Sequence, residues 1–284
     1  MQTRKFTKLN CAPKSNYKYT CYSKKRMFKL KQKFNKKYKS DNITKKSKYG
    51  IWKTLKKKLG HACGDERCWL DVLSNSNTLG NHIFSPDHPA TWKNNPNEWL
   101  STTDIDSVLQ QYNKKYKNFV NISVSPSDFD KRVSGSCVDE QLCKFNLKNY
   151  LTKKIGVVFN NDPHYKDGSH WVAIFIYPKK KLLYYFDSTG NKPNRNINRF
   201  IKLVLNQGKQ LNIKFNYKIN KIKHQVRDTE CGIYSLYFLI TMLKSKHPKL
   251  FTTRISDDEI SKYRKKYFNT PACKSCKNRI CTCN

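Results

Sequence analysis

Cys231 stands where a nucleophile could be activated. It is followed by Gly232 and by an almost continuously apolar run, Ile233 to Leu243, which predicts a helix buried in the core. Unpaired N–H groups at a helix N-terminus favour a thiolate, and a neighbouring glycine lets a substrate backbone come close. The pattern indicates a catalytic cysteine, although a cysteine before an apolar helix is more often a small core residue when seen alone.

A histidine and an aspartate are spaced so that they could serve this thiol. His170 opens the predicted strand Trp171–Tyr177, and Asp187 closes the predicted strand 182–187. If the two strands pair as a hairpin across the turn 178–181, the two side chains meet at one end of it. A catalytic thiol needs an imidazole to take its proton and a third group to fix the imidazole's tautomer. The spacing therefore predicts a general base beside its orienting carboxylate.

Gln225, six residues before Cys231, could complete the site. Its amide and the Cys231 backbone N–H could together stabilise an oxyanion that develops on the substrate. Taken singly, a histidine, a glutamine or an aspartate before the turn-forming Ser-Thr-Gly at 188–190 carries little information. The interpretation rests on the joint arrangement of the four side chains.

Hydrophobic periodicity predicts an α+β chain around these residues. Ser101, followed three residues later by Asp104, predicts a capped helix start. The other predicted elements are strands at 155–159, 171–177, 182–187 and 213–219, a helix with an apolar stripe at 197–205, the buried helix after Cys231, and a last helix at 257–268.

The positive charge is concentrated at the N-terminus. The chain has 284 residues with 57 Lys+Arg against 20 Asp+Glu, and residues 1–60 hold 21 of these basic residues and a single acid, Asp41. Like charges at this density repel one another, so we expect an arm that is largely unstructured without a polyanion. Aromatic residues between the lysines could stack on bases. The alternative is a solvated lysine-rich leader without a partner.

No apolar run approaches the ~18 residues of a membrane span, and no secretory signal is expected. The 11 cysteines are therefore expected to be thiols, metal ligands or a nucleophile rather than a disulfide framework. The C-terminal tail holds Cys273, Cys276, Cys281 and Cys283. Two alternatives are open for these four thiols, a structural zinc site or a metal-free segment. At His61, Cys63 and Cys68 the alternatives are a metal site or a packed pair of thiols, whereas Cys137 and Cys143 show no pattern.

Four separated motifs resemble the ubiquitin-like-protein-specific cysteine protease clan, which includes deSUMOylating proteases and the adenovirus protease. They are Gly168-Ser169-His170-Trp171-Val172-Ala173-Ile174-Phe175, Tyr185-Phe186-Asp187-Ser188, His224-Gln225 and Thr229-Glu230-Cys231-Gly232. Their order and spacing are similar to those of polyprotein-processing proteases from African swine fever virus and giant viruses. The resemblance covers roughly residues 85–268.

The resemblance implies a papain-like α+β protease domain with a central mixed sheet flanked by helices, preceded by a basic arm or a small helical region. It implies that His170 is the general base, Asp187 its orienter, Cys231 the nucleophile and Gln225 the oxyanion donor. Trp171 and Trp99 would face each other as walls of a slot that admits only glycine-like residues beside Gly232. The chain has Ser101-Thr102 where many cellular members have Asn-Asp.

These expectations divide the chain into a basic arm (1–60), a connecting region (61–84), a protease domain (85–268) and a cysteine-rich tail (269–284). The expected function is a viral cysteine endopeptidase, without a required cofactor, that cleaves structural polyproteins after Gly-Gly-type sites in the virion or host cytoplasm. Its arm would bind nucleic acid or another polyanion. The alternatives are an isopeptidase that removes ubiquitin-like modifiers and a basic packaging protein with a decayed protease fold.

Overall fold

The computed structural model describes residues 6–13, 18–74, 82–244, 249–271, 275–277 and 280–282. The chain divides into two compact units. The first unit comprises Met1–Ala90 with Lys266–Asn284, and the second comprises Thr91–Lys265. The first unit therefore groups the basic arm and the connecting region with the cysteine-rich tail.

The described residues form the following helices and strands. The helices are α1 (Lys24–Lys37), α2 (Lys48–Leu59), α3 (Cys68–Ser74), α4 (Thr102–Lys115), α5 (Glu140–Cys143), α6 (Arg195–Gln210), α7 (Cys231–Leu243), α8 (Asp257–Ser261) and α9 (Arg264–Tyr267). The strands are β1 (Phe119–Pro126), β2 (Arg132–Val133), β3 (Ser136–Cys137), β4 (Lys154–Asn160), β5 (Trp171–Tyr177), β6 (Leu182–Phe186), β7 (Asn216–Ile219), β8 (Ser275–Lys277) and β9 (Ile280–Thr282).

The second unit is built on a five-stranded mixed sheet in the order β1-β4-β5-β6-β7. The outer pairs β1/β4 and β6/β7 are parallel, whereas β4/β5 and β5/β6 are antiparallel. The predicted hairpin is present: β5 and β6 pair from Tyr177↔Leu182 to Ala173↔Phe186 across a one-turn 3₁₀ helix. The predicted α+β fold with a central mixed sheet is confirmed.

Two helices bury apolar surface against this sheet. In α6, Ile197, Phe200, Ile201 and Val204 form the predicted buried stripe. In contrast, α7 is buried nearly all round and packs on β5, as its continuous apolar sequence predicted. The Phe238 ring of α7 stacks on Phe186 at the end of β6, with ring centroids 4.9 Å apart. This packing fixes α7, and therefore its first residue, relative to the β5–β6 hairpin.

Two predicted boundaries are corrected. The strand predicted at 213–219 is limited to β7, because Ile213 and Phe215 precede its pairing with β6. The helix predicted at 257–268 is divided into α8 and α9 by a turn at 262–263. Ser256 and Glu259 form a capping box that starts α8, and Ser101 and Asp104 form the one predicted for α4.

The prediction of an unstructured arm is wrong. Apolar residues recur between the lysines at helical spacing, so α1 buries Met27, Leu30 and Phe34 while its charges stay on the outer face. In the same way α2 buries Ile51, Leu55 and Leu59. The fully buried rings of Tyr22 and Trp69 belong to the same core. A high density of lysines is therefore compatible with a folded unit because the lysines of these two helices are not among its buried residues.

The expectation against disulfides is also wrong. Disulfide bonds join Cys11–Cys21, Cys63–Cys68 and Cys137–Cys143. Cys63 and Cys68 are thus covalently paired and do not form a metal site with His61. Among the described residues, no group of three His, Cys, Asp or Glu side chains is arranged to hold a metal ion.

The tail cysteines fall at the edge of the described chain. The backbones of Cys276 and Cys281 are paired across the β8–β9 ladder, whereas Cys273 and Cys283 lie outside the described residues. The zinc alternative for these four thiols therefore stays a prediction. Within the described ranges, none of the helices has the length and apolar character needed to cross a membrane.

Candidate active site

The β5–β6 hairpin brings His170 and Asp187 together, as predicted. His170 lies one residue before β5 and Asp187 one residue after β6, and His170 Nε2 is 2.7 Å from Asp187 Oδ1. The same carboxylate oxygen accepts hydrogen bonds from the backbone N–H and hydroxyl of Thr189, at 2.8 and 2.7 Å. Asn220 donates to the Asp187 carbonyl at 2.7 Å. The buried carboxylate is thus held in one orientation toward the imidazole.

Gly168 shapes the loop that delivers His170 to the hairpin. It adopts φ +92°, a left-handed conformation that side chains disfavour, and an added Cβ would lie only 2.3 Å from the Asn160 side chain. The Asn161 N–H then donates to the His170 carbonyl at 2.8 Å. The glycine two residues before the histidine is therefore required by the turn and by close packing.

Cys231 is the first residue of α7 and faces His170. Of the cysteines whose side chains are described, it is the free one, and only 1% of its surface is exposed. Burial lowers the pKa of His170, but hydrogen bonds to Asp187 and Cys231 and their negative charges outweigh it and raise the pKa to about 10. At neutral pH the imidazole is therefore a cation, as required for a thiolate–imidazolium pair.

Gln225 is buried and is held by Ser188, the residue after Asp187. The Ser188 hydroxyl donates to Gln225 Oε1 at 2.6 Å, and the Gln225 backbone N–H donates to the Ser188 carbonyl at 2.9 Å. With its oxygen engaged as an acceptor, the amide has its Nε2 hydrogens left to donate. Ser188 follows Asp187 directly, so one turn positions both the carboxylate that orients the base and the predicted oxyanion donor.

The loop between Gln225 and Cys231 is held by a residue that the sequence analysis missed. Buried Asp257 accepts hydrogen bonds from the Val226 and Arg227 backbone N–H groups, both at 2.9 Å, through one carboxylate oxygen. Its other oxygen accepts from the Tyr234 hydroxyl at 3.2 Å. In the sequence, Asp257 carried only the signal of an acidic first turn of a helix.

Two of the predicted slot residues, Trp171 and Gly232, lie against Leu100. The Trp171 indole N–H donates to the Leu100 carbonyl at 2.8 Å, which brings the half-buried Trp99 to the start of β5. An added Cβ on Gly232 would lie 3.1 Å from the Leu100 side chain, so close packing also favours glycine there. Ser101, which departs from the clan pattern, caps α4.

The assembled side chains are suited to acyl transfer through a thioester. A thiol, an imidazolium, an orienting carboxylate and an amide donor together supply a nucleophile, a proton donor and acceptor, and an oxyanion site. The comparisons with known proteins agree with this chemistry. Residues 151–275 match the Ulp1 protease family, C-terminal catalytic domain.

Two viral relatives match longer stretches of the chain. A protein of Acanthamoeba polyphaga mimivirus named as a thiol protease is 30% identical over 246 residues, which cover 84% of this chain and 80% of the relative. The SUMO-1 cysteine protease of African swine fever virus is 32% identical over 185 residues, 60% of this chain and 67% of the relative. The crystal structure of the African swine fever virus protease matches 92% of this chain and 96% of its own, with 25% identity and a TM-score of 0.67.

Proposed function

Since this chain belongs to the Ulp1 family of cysteine proteases, we propose that it cleaves structural polyproteins of a virus after Gly-Gly-type sites during virion maturation. The observation that supports this most directly is the buried His170–Asp187 pair hydrogen-bonded beside the free thiol of Cys231. On this proposal the enzyme works in the host cytoplasm, where particles assemble, and within the virion.

In the proposed reaction, the Cys231 thiolate attacks the scissile carbonyl carbon and forms a carbon–sulfur bond. The oxyanion is stabilised by the Gln225 amide and the Cys231 backbone N–H. The His170 imidazolium gives its proton to the leaving amine as the C–N bond breaks. His170, now neutral, takes a proton from water, whose oxygen attacks the thioester carbon. The C–S bond then breaks, which releases the acid and restores the Cys231 thiolate beside the His170 imidazolium. Asp187 keeps the imidazole in one tautomer throughout.

The proposed preference for glycine rests on Trp171 and Trp99 as the two walls of the slot. Trp171 is fixed by its hydrogen bond to Leu100, and Trp99 precedes that same residue. Two flat rings facing each other leave room for a peptide backbone without side chains. Gly-Gly before the scissile bond is therefore the substrate that such a slot would accept best.

An isopeptidase that removes ubiquitin-like modifiers is the second candidate within the same chemistry. A relative carries the name SUMO-1 cysteine protease, and a lysine ε-amine can leave from the thioester-forming step as an α-amine does. The test offers the purified protein a Gly-Gly-X peptide and a modifier–lysine conjugate. Cleavage of the peptide supports the endopeptidase proposal, whereas exclusive cleavage of the conjugate would contradict that proposal.

A covalent probe tests the nucleophile and also separates an enzyme from a packaging protein with a decayed site. A Gly-Gly vinyl ester should label Cys231, with the adduct located by mass spectrometry, and replacing Cys231 by Ser should abolish labelling and cleavage. If the variant were still labelled or still cleaved the peptide, Cys231 would not be the nucleophile. The matched control replaces the buried Ser125, on β1, by Ala and should label normally.

We also propose that the first unit binds nucleic acid or another polyanion. Exposed Lys25, Lys29, Lys33 and Lys36 lie on one face of α1, opposite its buried apolar stripe. On α2, an aromatic ring that is 52% exposed, Tyr49, shares a face with further exposed lysines. Charge attracts the phosphates, and an accessible ring can stack on bases.

Replacing the four α1 lysines by Gln should weaken binding of an oligonucleotide and flatten its salt dependence, while peptide cleavage is retained. The matched control removes the same charge from four exposed lysines of the second unit, Lys179, Lys180, Lys202 and Lys209. Equal losses in both variants would show that only net charge matters and would contradict a binding face on α1.

A further inference from the structure

Arg264 forms a hydrogen-bonded hub that none of the assigned roles uses. Its side chain is 4% exposed and donates to both oxygens of the Glu230 carboxylate, at 3.1 and 2.9 Å. The guanidinium also donates to the carbonyls of Glu98 at 2.7 Å, Asn97 at 3.1 Å and Thr229 at 2.9 Å. A single side chain thus joins two segments that are far apart in the sequence.

Both of these segments lead directly into the site. Thr229 and Glu230 immediately precede Cys231, and Glu230 occupies the N-cap position of α7. Asn97 and Glu98 immediately precede Trp99. The hub therefore connects the backbone that carries the nucleophile with the backbone that carries one proposed wall of the slot.

The chemistry of this hub requires arginine. A guanidinium directs up to five N–H donors within one plane, and here they reach a carboxylate and three carbonyls. The Trp92 ring lies 4.6 Å from the guanidinium carbon and covers the cation. Lysine carries the same charge but has three tetrahedrally directed donors and no planar face, so it cannot reproduce these contacts.

Stability alone does not explain a buried ion pair of this kind. Glu230 is 1% exposed, and its burial raises the pKa of the carboxyl while the Arg264 guanidinium opposes that rise. Taking both charges out of water costs about as much as their attraction returns, and apolar replacements are often no less stable. A function in fixing geometry is therefore a better explanation than a function in stabilising the fold.

We propose that Arg264 is a positioning residue that sets the spacing between Cys231 and the Trp99 wall, and thereby determines how strictly the protease selects glycine. The inference rests on the proposed slot. The segment at Trp99 is held on its C-terminal side by the Trp171–Leu100 hydrogen bond and on its N-terminal side by Arg264. Without Arg264, the N-terminal attachment is lost and the slot can widen.

The test compares Arg264→Lys with wild type on two peptides that differ only in having Gly-Gly or Gly-Ala before the scissile bond. Arg199→Lys is the matched control, because Arg199 donates in the same two-pronged way to Asp130, at 3.0 and 2.6 Å, on the surface. Alkylation of Cys231 by iodoacetamide reports the thiol independently of the slot. Thermal denaturation is followed for each variant.

We expect Arg264→Lys to lower kcat/KM for the Gly-Gly peptide by about 10- to 100-fold and to reduce the preference for glycine over alanine by about 10-fold. Its alkylation rate should match that of the control. Equal losses on both peptides would overturn the proposal and leave Arg264 a structural role. A wild type without any preference for glycine would instead overturn the slot itself, a failure visible before any substitution is made.

A double variant keeps the result interpretable if single variants fold poorly. Replacing Arg264 and Glu230 both by Met removes the pair without leaving a buried charge unpaired. This variant should regain the melting temperature lost on removing Arg264 alone, but not the preference for glycine. Recovery of both together would contradict a positioning role.

Discussion

Ser188 donates its hydroxyl hydrogen to Gln225 Oε1 at 2.6 Å, and in this arrangement the glutamine keeps its Nε2 hydrogens for another acceptor. A glutamine amide can be turned by half a revolution at little cost, which would exchange its donor and acceptor ends. A serine hydroxyl can donate or accept, so the bond to Ser188 anchors the buried side chain, and the observed arrangement is the one that leaves Nε2 to donate. In the proposed reaction, the serine after Asp187 therefore supports the oxyanion site without touching the substrate.

Replacing Ser188 by Ala should lower kcat by about 10-fold with little change in KM, because the loss of one neutral hydrogen bond affects mainly the charged transition state. Replacing Gln225 by Ala should cost about 100-fold or more. The two losses should not add, since Ser188 acts through Gln225. Steady-state kinetics measure this, with Ser125→Ala as a control, and additive losses would refute the arrangement.

The pH dependence of the reaction should depend on Asp187. With the pKa of His170 at about 10, activity should persist into alkaline solution and fall as the imidazolium loses its proton. Asp187→Asn removes the negative charge and should move this alkaline limb to lower pH. It should also reduce kcat/KM by on the order of 10²-fold, less than in a serine triad, because a thiol ionises more readily than a hydroxyl.

The chain offers a matched control for this experiment. His164 Nδ1 is also 2.7 Å from an aspartate, Asp128, but that pair has no role in the proposed reaction. Asp128→Asn should leave the alkaline limb unchanged. A limb that moves equally in both variants, or in neither, would contradict the assignment of His170 as the base.

Stability should follow the same ionisation. Because folding raises the pKa of His170 above its ordinary value of 6.5, the stabilisation is complete below about pH 6.5 and is lost as the pH rises through about 10. The melting temperatures of wild type and Asp187→Asn should therefore converge over this interval. A difference that widens toward pH 10 would show that another group dominates.

Asp257 should support both stability and catalysis. Replacing the buried Asp257 by Ala removes the charged acceptor of the backbone N–H groups at 226 and 227 and should cost about 1–3 kcal/mol of unfolding free energy. Because this loop carries Gln225, kcat should fall as well. Its neighbour Asp258 is exposed and pairs with Arg227, so Asp258→Ala should change neither quantity measurably. Equal effects of the two substitutions would contradict the loop-holding role.

The disulfides of the first unit can be checked chemically. After denaturation without reductant, iodoacetamide should leave Cys11, Cys21, Cys63 and Cys68 unmodified, whereas it should modify all four after reduction. Replacing Cys63 and Cys68 by Ser should lower the unfolding free energy by about 2 kcal/mol, because the constraint on the unfolded chain is lost. Alkylation of these cysteines without reductant would contradict the disulfides.

Local patterns in the sequence were sufficient to predict the core of the site. His170 and Asp187 are 17 residues apart, at the outer ends of two predicted strands joined by a turn, so the predicted hairpin indicated that they meet. The helix that positions Cys231 is apolar on every face, which predicted its burial. Features that depend on one element and its next neighbour could thus be derived without a structure.

Contacts between distant loops could not be predicted in this way. Arg264 meets Glu98 and Glu230 only because three separate segments converge, and no periodicity indicates which loops meet. The prediction of an unstructured N-terminal arm was wrong for a different reason. The signal was present in Met27, Leu30 and Phe34, but the density of charge was given more weight than the apolar spacing. The disulfides could not be excluded from the expected redox compartment, because a compartment does not determine which cysteines lie close enough to pair.

The hairpin has a consequence for how the protein acquires its activity during synthesis. The strands that carry His170 and Asp187 are neighbours in sequence and in the sheet, so they can pair as soon as both leave the ribosome. The sulfur arrives later, on a helix that must still dock against those strands. In the proposed mechanism, a chain interrupted before that helix has the imidazole and its carboxylate but no thiol, so it cannot cleave a peptide bond.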